Sequence, residues 1–182
     1  MTQQVIGVGT VADDHTGDPG RTAFQKVNAN FAELYGATST SVTSAPYNAD
    51  PTGVADSTSG IQAAITAMQA AGGGIVYFPA GTYKISSELQ ITASHVQLIG
   101  LGEGNWADTG TEISAATKLN WAGASAATTA MISIATPVNA ATGNRILGHR
   151  VSNIKLECNS LCGYGLKLVS VIKGTFENIY VS

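Results

Sequence analysis

Charged side chains are scarce in this sequence. Of its 182 residues, 12% are Asp, Glu, Lys or Arg, whereas 44% are apolar, and the formal net charge is −3. A disordered chain would show the opposite balance, and a surface built for nucleic-acid phosphates or anionic lipids would carry excess positive charge. The composition therefore indicates a folded protein and argues against nucleic acid as a partner.

Long apolar runs are missing as well. None reaches the ~18 residues that a membrane-spanning helix needs, and no basic segment followed by an apolar one opens the chain. The sequence predicts neither a membrane span nor a secretion signal.

Cysteine is limited to Cys158 and Cys162, in the segment ECNSLCGYG. A metal site would need further Cys or His at ligand spacing, but His149 lies nine residues before Cys158, and His15 and His95 are isolated. A disulfide across this spacing, at a bend after a strand, would be awkward. We therefore expect buried or half-buried free thiols, and we predict no metal and no cofactor.

One helix is clearly marked near the start of the chain, in GDPGRTAFQKVNANFAELYG, residues 17–36. Pro19 suits a first helical turn, and Gly36 can take the left-handed position after the last turn. One apolar stripe runs along this helix, flanked by Arg21 and Asn28. The residues of the stripe are Phe24, Val27, Phe31, Leu34 and Tyr35.

A helix of ~14 residues is marginal in water unless its apolar stripe is buried. Neither the arm before the helix nor the segment ATSTSVTSA after it carries enough apolar side chain to cover the stripe. The stripe could pack on the rest of its own chain, on copies of itself or on another protein. Residues 37–46 are small and polar and are interpreted as a linker, so the predicted parts are 1–36, 37–46 and 47–182.

The composition changes after residue 46. A second helix is predicted with Asp56, Ser57 or Thr58 as its N-cap. Its apolar stripe comprises Ile61, Ala64, Ile65 and Met68, and Gly72 ends it. Short strands follow, in IVYFPAGTYKI, LQITA and HVQLIGLG, and residues 105–130 are interpreted as a loop-rich excursion.

A weak internal repeat marks the last third of the chain. RVSNIKLE and TFENIYVS align with a period of 25 residues, which places Asn153 over Asn178 and Ile154 over Ile179. HVQLIGLG has the same shape, 55 residues before RVSNIKLE, and AMISIAT and GYGLKLVS are similar. Short strands that recur at this spacing favour a mainly β fold, a stacked parallel β-solenoid, over the alternative, a β-sandwich.

Residues 47–102 resemble the opening of the pectate-lyase-like right-handed parallel β-helix family found in bacteriophage tail spikes. The residues that match its Phe-Pro-Pro-Gly-Thr-Tyr pattern are Phe78, Pro79, Gly81, Thr82 and Tyr83, with Ala80 in place of the second Pro. The resemblance implies that the helix over residues 61–68 covers the N-terminal end of the solenoid.

Residues 7–36 separately resemble an N-terminal segment common in phage tail spikes and fibres. The matching residues are Asp14, Gly17, Asp18, Arg21, Ala23, Phe24, Lys26, Asn28, Asn30, Phe31, Glu33, Leu34 and Tyr35. Such segments are associated with attachment to the virion, and the proteins are typically homotrimers. The resemblance implies a virion protein, folded in the host cytoplasm, that docks on a tail, baseplate or adaptor protein.

Within that resemblance, the expected attachment or oligomer interface comprises Arg21, Phe24, Val27, Asn28, Phe31, Leu34 and Tyr35. The alternative is that the helix packs on its own β-helix. The intact spike would recognise a host surface polysaccharide.

The related enzymes use paired carboxylates or lyase chemistry. The acids offer no convincing pair in this sequence, so no catalytic residue is predicted. Glu103, beside Trp106 in a Gly-rich bend, is a weak candidate for glycan contact, with a plain surface turn as the alternative. Because Ser182 falls inside a strand pattern, we expect the β-helix to continue in a longer protein.

Three functions therefore stay open. The first is a structural tail spike or fibre, and the second is a capsule or lipopolysaccharide depolymerase whose active site lies in later coils. The third, a secreted polysaccharide lyase unrelated to phages, is disfavoured by the segment at residues 7–36.

Overall fold

The computed structural model describes residues 5–7, 15–36, 39–102, 105–106, 112–113, 117–135 and 145–182, without the side chains of 32–36, 105–106 and 112–113. The elements in chain order are α1 (Gly20–Gly36), β1 (Ser39–Ser41), β2 (Thr52–Asp56), α2 (Thr58–Ala70), β3 (Gly74–Tyr77), β4 (Gly81–Ile85), β5 (Leu89–Ile91), β6 (Val96–Ile99), β7 (Asn105–Trp106), β8 (Glu112–Ile113), β9 (Thr117–Trp121), β10 (Ala126–Ala135), β11 (Ile146–Leu147), β12 (Arg150–Glu157), β13 (Cys162–Val169), β14 (Val171–Ile172) and β15 (Thr175–Val181). They form two compact units, Met1–Thr38 and Ser39–Ser182.

The first unit contains α1, whose observed bounds confirm the predicted helix. Its first turn follows Pro19, and the Ala23 amide donates to the Pro19 carbonyl at 3.0 Å. Proline lacks an amide hydrogen and its φ is fixed near the helical value, so it is well suited to this place.

The second unit is a parallel β-helix, and it confirms the predicted fold class. Three rows of parallel strands run across its coils. The first row is β1, β3, β6 and the start of β12 and β15, the second is β2, β4, β9 and the end of β12 and β15, and the third is β5, β10 and β13. An antiparallel β-sandwich is excluded because these pairings are parallel.

The predicted 25-residue repeat is confirmed by the register of β12 and β15. Ile154 lies opposite Ile179, and the Asn178 Nδ2 atom donates to the Asn153 Oδ1 atom at 2.9 Å. Both asparagines have left-handed φ values, 58° and 50°. Such values bend a strand, and asparagine tolerates them better than most residues, so each asparagine forms the corner between the first and the second row.

The predicted alignment of HVQLIGLG with RVSNIKLE is wrong by two residues. Arg150 pairs with Gln97, 53 residues earlier, not with the residue 55 positions before it. A shift of two keeps every side chain on its own face of the strand. The apolar pattern of a single sequence therefore cannot distinguish the two registers.

Two other expectations need correction. The supposed excursion over residues 105–130 contains β9, which pairs with both β4 and β12 and buries Thr117, Leu119 and Trp121. Part of the expected linker, residues 37–46, also belongs to the β-helix. Ser39–Ser41 pairs with β3, and Val42 is completely buried.

The helix α2 covers the apolar interior at the first coil, as predicted. Its buried residues include Ile61, Ala64, Ile65 and Met68, and it contacts β1, β3 and β5. Full burial of one such aliphatic side chain contributes about 1.5–3 kcal/mol. Ser57 is the N-cap, although the Thr58 amide bonds to the Asp56 carboxylate at 2.9 Å.

The Phe-Pro-Ala-Gly-Thr-Tyr segment forms the corner between β3 and β4. Phe78 and Tyr83 are completely buried, with ring centroids 5.9 Å apart at an interplanar angle of 83°. The Tyr83 hydroxyl donates to the Pro79 carbonyl at 2.9 Å. Gly81 has φ of 153°, and a Cβ atom there would lie 2.6 Å from the Pro51 carbonyl oxygen. Packing and close backbone approach therefore explain why this motif has these residue types.

Candidate functional site

The α1 helix presents aromatic side chains to solvent. Phe24 is 71% exposed and Phe31 is 51% exposed. Arg21 and Asn28 are exposed, and Val27 is half-buried. The side chains of Leu34 and Tyr35 lie outside the described residues. Large exposed aromatic groups on one helix suit a protein interface, since such rings contribute strongly to association.

The start of α1 is held by the preceding arm. The Gly7 amide donates to the Asp18 carboxylate at 2.8 Å, and the Lys26 Nζ atom lies 2.7 Å from the same oxygen. Lys26 also donates to the Val5 carbonyl at 3.1 Å. The hydrogen bond from Lys26 and that from the Gly7 amide lower the pKa of Asp18. These bonds give the helix a defined lead-in at neutral pH.

The structure does not test the weak glycan candidate. Glu103 lies outside the described residues, and only the backbone of Trp106 is described, in β7 paired antiparallel with β8. In the chain, both residues come between β6 and β9. Asn153 alone forms the corresponding corner in the coil of β12.

A row of polar side chains on the second row of strands was missed by the sequence analysis. Lys118 of β9 lies opposite Lys155 of β12, and Tyr180 of β15 follows in register. The recurring Lys–Leu pair at 118–119 and 155–156 is the signal that could have revealed it. These two copies are 37 residues apart, which does not fit the 25-residue period, and a third Lys–Leu pair, at 167–168, lies in another row of strands.

These side chains form one charged cluster, named here the lysine ladder: Lys118, Lys155, Glu157 and Tyr180. The two oxygens of Glu157 lie 3.2 Å from Lys118 Nζ and 3.8 Å from Lys155 Nζ. The Lys155 Nζ atom also lies 5.6 Å from the centre of the Tyr180 ring. The lysine ladder therefore brings two ammonium groups and one carboxylate together. Chemically, it can bind an anionic group beside an aromatic ring.

Lys155 is the unusual member of the lysine ladder, because only 3% of its surface is exposed. A buried ammonium group is costly unless nearby charges or rings compensate for the lost hydration. Glu157 and Tyr180 supply part of that compensation here. Lys118 and Glu157 are partly exposed, at 23% and 27% of their side chains, and are the members that a ligand could reach.

A second polar surface lies where α2 begins. A groove of about 360 Å³ is lined by Asp56, Thr58, Ser59, Gln62, Ser86, Ser87 and Glu88. Burial raises the pKa of Asp56, but hydrogen bonds from Ser86 and Thr58 outweigh it and leave the pKa lowered. Asp56 is therefore ionised at neutral pH and suits a structural role better than that of a proton donor.

The described acids are all engaged in local interactions. Asp50 accepts bonds from its own turn, and Glu88 accepts one from the Ala130 amide at 3.2 Å. Glu177 pairs with Arg150. Glu157 and Glu177 are not opposite each other, because Ser152 is the partner of Glu177. No carboxylate pair was proposed from the sequence, and the contacts of the described acids suggest none.

In the part of the chain that the structure describes, no three or more His, Cys, Asp or Glu side chains lie together in a group that could hold a metal ion. His149 is buried, and its Nδ1 atom lies 3.1 Å from the Val96 carbonyl oxygen. Burial lowers the pKa of His149 and keeps it neutral.

Cys158 and Cys162 are free thiols, one buried and one half-buried, as predicted. None of the described helices is long and apolar enough to cross a membrane.

Known proteins resemble this chain in sequence over a short part and in fold over most of it. The Azotobacter vinelandii mannuronan C5-epimerases AlgE1 and AlgE2 are 50% identical over 58 residues, which is 29% of this chain. The chain spans only 4% and 6% of the length of those two relatives.

Solved structures share the fold. ORF18 of Geobacillus virus E2 matches with a TM-score of 0.65 at 23% identity, over 89% of this chain and 28% of that one. The A-module of the Azotobacter vinelandii mannuronan C-5 epimerase AlgE6 matches with a TM-score of 0.54 at 24% identity, over 78% of this chain and 37% of the module. At these identities the likeness concerns the fold alone.

A family model gives the broadest match. The model described as "Rhamnogalacturonase A/epimerase, pectate lyase-like" matches residues 16–179, which include α2, the corner at Phe78 and the Lys118, Lys155 and Glu157 members of the lysine ladder. The parallel β-helix and this match together show that the chain belongs to the rhamnogalacturonase A/epimerase, pectate lyase-like family.

Proposed function

We propose that this chain is the N-terminal part of a phage tail spike or fibre, in which α1 attaches the protein to the virion. The single observation that carries the proposal is the 71% exposure of Phe24 on α1. The β-helix already has its own cover, since α2 buries Ile61, Ala64, Ile65 and Met68. The aromatic face of α1 is therefore not needed to close the first coil and is suited to another molecule.

Attachment can be tested with a charged double substitution on α1. Phe24→Asp with Phe31→Asp removes the apolar contact area and places carboxylates on the same face. We expect the variant to fold, with an unchanged circular dichroism spectrum, but to be absent from purified phage particles on an immunoblot. Gln25→Asp is the matched control, because Gln25 is exposed on the same helix but outside the apolar stripe. Normal incorporation of the double variant would contradict the proposal.

We also propose that the β-helix of this tail spike or fibre recognises a polysaccharide on the host surface. Two findings support a glycan role: the family match, and the sequence similarity to mannuronan C5-epimerases. The lysine ladder adds a chemical preference. Its two ammonium groups beside Tyr180 can contact carboxylates, which a neutral polymer lacks.

This preference is testable with a defined polymer. Polymannuronate should bind the full chain more tightly than neutral dextran, and added salt should weaken the binding. Lys118→Gln should reduce the affinity about two- to fivefold, as expected for one screened charge contact of up to about 1 kcal/mol. Lys167→Gln on β13 is the control, since Lys167 lies over the Tyr164 ring in another row of strands. Equal loss in both variants would argue against the lysine ladder.

An enzymatic role is the second candidate, and the similarity to mannuronan C5-epimerases favours it. The active site would then lie in later coils of the intact protein. Incubation of the intact protein with host capsule or with polymannuronate distinguishes the outcomes. Released oligosaccharides indicate a hydrolase or lyase, and a changed sugar composition without shortening indicates an epimerase. An unchanged polymer that stays bound supports the structural role.

A further inference from the structure

The two cysteines of the chain lie at the corner between β12 and β13. The Leu161 amide donates to the Cys158 carbonyl at 2.9 Å, and Asn159 and Ser160 adopt left-handed φ values of 53° and 57°. At this tight turn the Cys162 Sγ atom lies 4.0 Å from the Cys158 carbonyl oxygen. The Cys158 side chain also acts electrostatically on the Cys162 thiol.

The surroundings of the pair slow its oxidation in the folded protein. Cys158 is only 8% exposed, and Cys162 is half-buried. Burial, together with the contact to Cys158, raises the pKa of Cys162 to about 12. The thiolate is the reactive form of cysteine. The pair therefore reacts slowly with stray disulfides or electrophiles in a reducing cytoplasm.

We propose that Cys158 and Cys162 form an intramolecular disulfide when the folded protein meets an oxidising medium, and that this bond fixes the corner between β12 and β13. Because the Cys162 sulfur already lies against the backbone of Cys158 across one tight turn, a bond between the two sulfurs requires movement of that turn alone. If the proposed phage function is right, the protein would meet such a medium when particles are released from the host cell. Formation of the disulfide does not depend on that function, so it can be tested on the isolated protein.

A disulfide reagent such as oxidised glutathione is a sufficient oxidant. Cys162, the more accessible sulfur, first loses its proton to solvent, and its thiolate attacks the glutathione S–S bond, which releases one glutathione thiolate and leaves a mixed disulfide on Cys162. Because the raised pKa leaves little thiolate, this first step is slow and needs prolonged incubation. Cys158 then loses its proton and attacks the Cys162 sulfur, which displaces the second glutathione. The protein gives up two protons and two electrons, and they convert the glutathione disulfide to two thiols.

The test uses the native full chain. Protein is incubated with oxidised glutathione, then unfolded in urea with iodoacetamide, and its intact mass is measured. We expect a mass lower by two hydrogens, with neither an alkyl group nor a glutathione adduct. Closing this small loop should also raise the Tm by about 4–8 °C, reversibly with dithiothreitol. A stable glutathione adduct, or two alkylated cysteines after prolonged oxidation, would overturn the proposal.

Single-cysteine variants supply the control. Cys162→Ser and Cys158→Ser should take up at most one glutathione, and oxidant should not raise their Tm. Should both variants fail to fold, the wild-type chain still decides the question in glutathione buffers of fixed ratio. The disulfide should be favoured about tenfold or more in the native chain over the chain in urea, because a bond that stabilises the fold is itself stabilised by folding. Equal populations in both states would refute the idea.

Discussion

At the residue scale, Asp50 shows how a single carboxylate closes an exposed strand edge. β2 is the terminal strand of its sheet. The amides of Thr52, Val54 and Ala55 all donate to the Asp50 carboxylate, at 2.9, 3.1 and 2.7 Å. Unpaired amides on an edge strand would otherwise invite another strand to add there. Asp50 therefore blocks a row of donors that the solenoid itself leaves open.

The same bonds make a pH-dependent prediction. Hydrogen bonds from Thr52 and Ala55 lower the pKa of Asp50 from 3.8 to about 2. The folded state favours the ionised form, so this contribution to stability is complete above the unfolded pKa and is lost as the pH falls through about 2. We expect the Tm to fall between about pH 4 and pH 2. In Asp50→Asn the fall over that range should be shallower.

The comparison with Asp50→Asn is needed because other carboxylates titrate in the same direction. The pKa values of Asp18 and Asp56 are also lowered by hydrogen bonds. Asn keeps the turn conformation but cannot become charged or change its protonation over this range. Thermal melts of both proteins at several pH values suffice. Parallel curves for the two would show that Asp50 does not contribute to the acid sensitivity.

At the scale of elements, α2 not only covers the core but also forms hydrogen bonds with the backbone of β5 at its open edge. The Gln62 side-chain amide donates to the Gln90 carbonyl at 3.0 Å and accepts from the Gln90 amide at 2.8 Å. Gln69 accepts from the amides of Thr92 and Ala93. β5 is the terminal strand of the third row. The glutamines of α2 therefore take the place of the strand that the first coil lacks.

Removal of this contact should weaken the first coil. Gln62→Leu keeps the volume but loses both bonds to Gln90, at about 1 kcal/mol each. The expected fall in Tm is roughly 4–8 °C, together with more aggregation, because the edge of β5 is opened. Ala63→Ser is the control, since Ala63 is exposed on the same helix. A Gln62→Leu variant as stable and soluble as the control would contradict this role of α2.

The elements that the sequence predicted well carry local signals. Pro19 and Gly36 mark α1, the spacing of Ile61, Ala64, Ile65 and Met68 marks α2, and Phe78 marks the corner after β3. β1 was missed because Ser39–Ser41 has no apolar pattern and is held by backbone pairing with β3. β9 was missed because its coil has a longer corner segment than the coil of β12, which hides the repeat.

The candidate sites were harder to predict from the sequence than the helices, because most of them depend on how separate coils stack. The α1 surface depends on the face of one helix, which periodicity reveals. The lysine ladder depends instead on the register between coils of unequal length, which the sequence does not specify. The approach of the Cys162 sulfur to the Cys158 carbonyl oxygen requires two left-handed residues in succession, Asn159 and Ser160, and neither is glycine. Such features arise from the stacking and bending of strands and have no local pattern.

At the scale of the whole molecule, the two compact units differ in what stabilises them. Residues Ser39–Ser182 have parallel strand pairing, a continuous buried core and α2 as their own cover. In solenoids each coil gains its stability from its neighbours. A β-helix whose first coil is already covered should therefore fold without the preceding segment.

Deletion of residues 1–38 tests this expectation and the role of α1 together. We expect residues 39–182 to keep the β-type circular dichroism spectrum of the full chain and to melt within about 3 °C of its Tm, because the deletion removes none of the strands that the structure describes and none of the apolar residues that α2 buries. The same deletion should abolish incorporation into phage particles. If α1 instead packs on its own β-helix, the shortened chain should lose several degrees of Tm and aggregate. That result would favour a covering role for the Phe24 face over attachment.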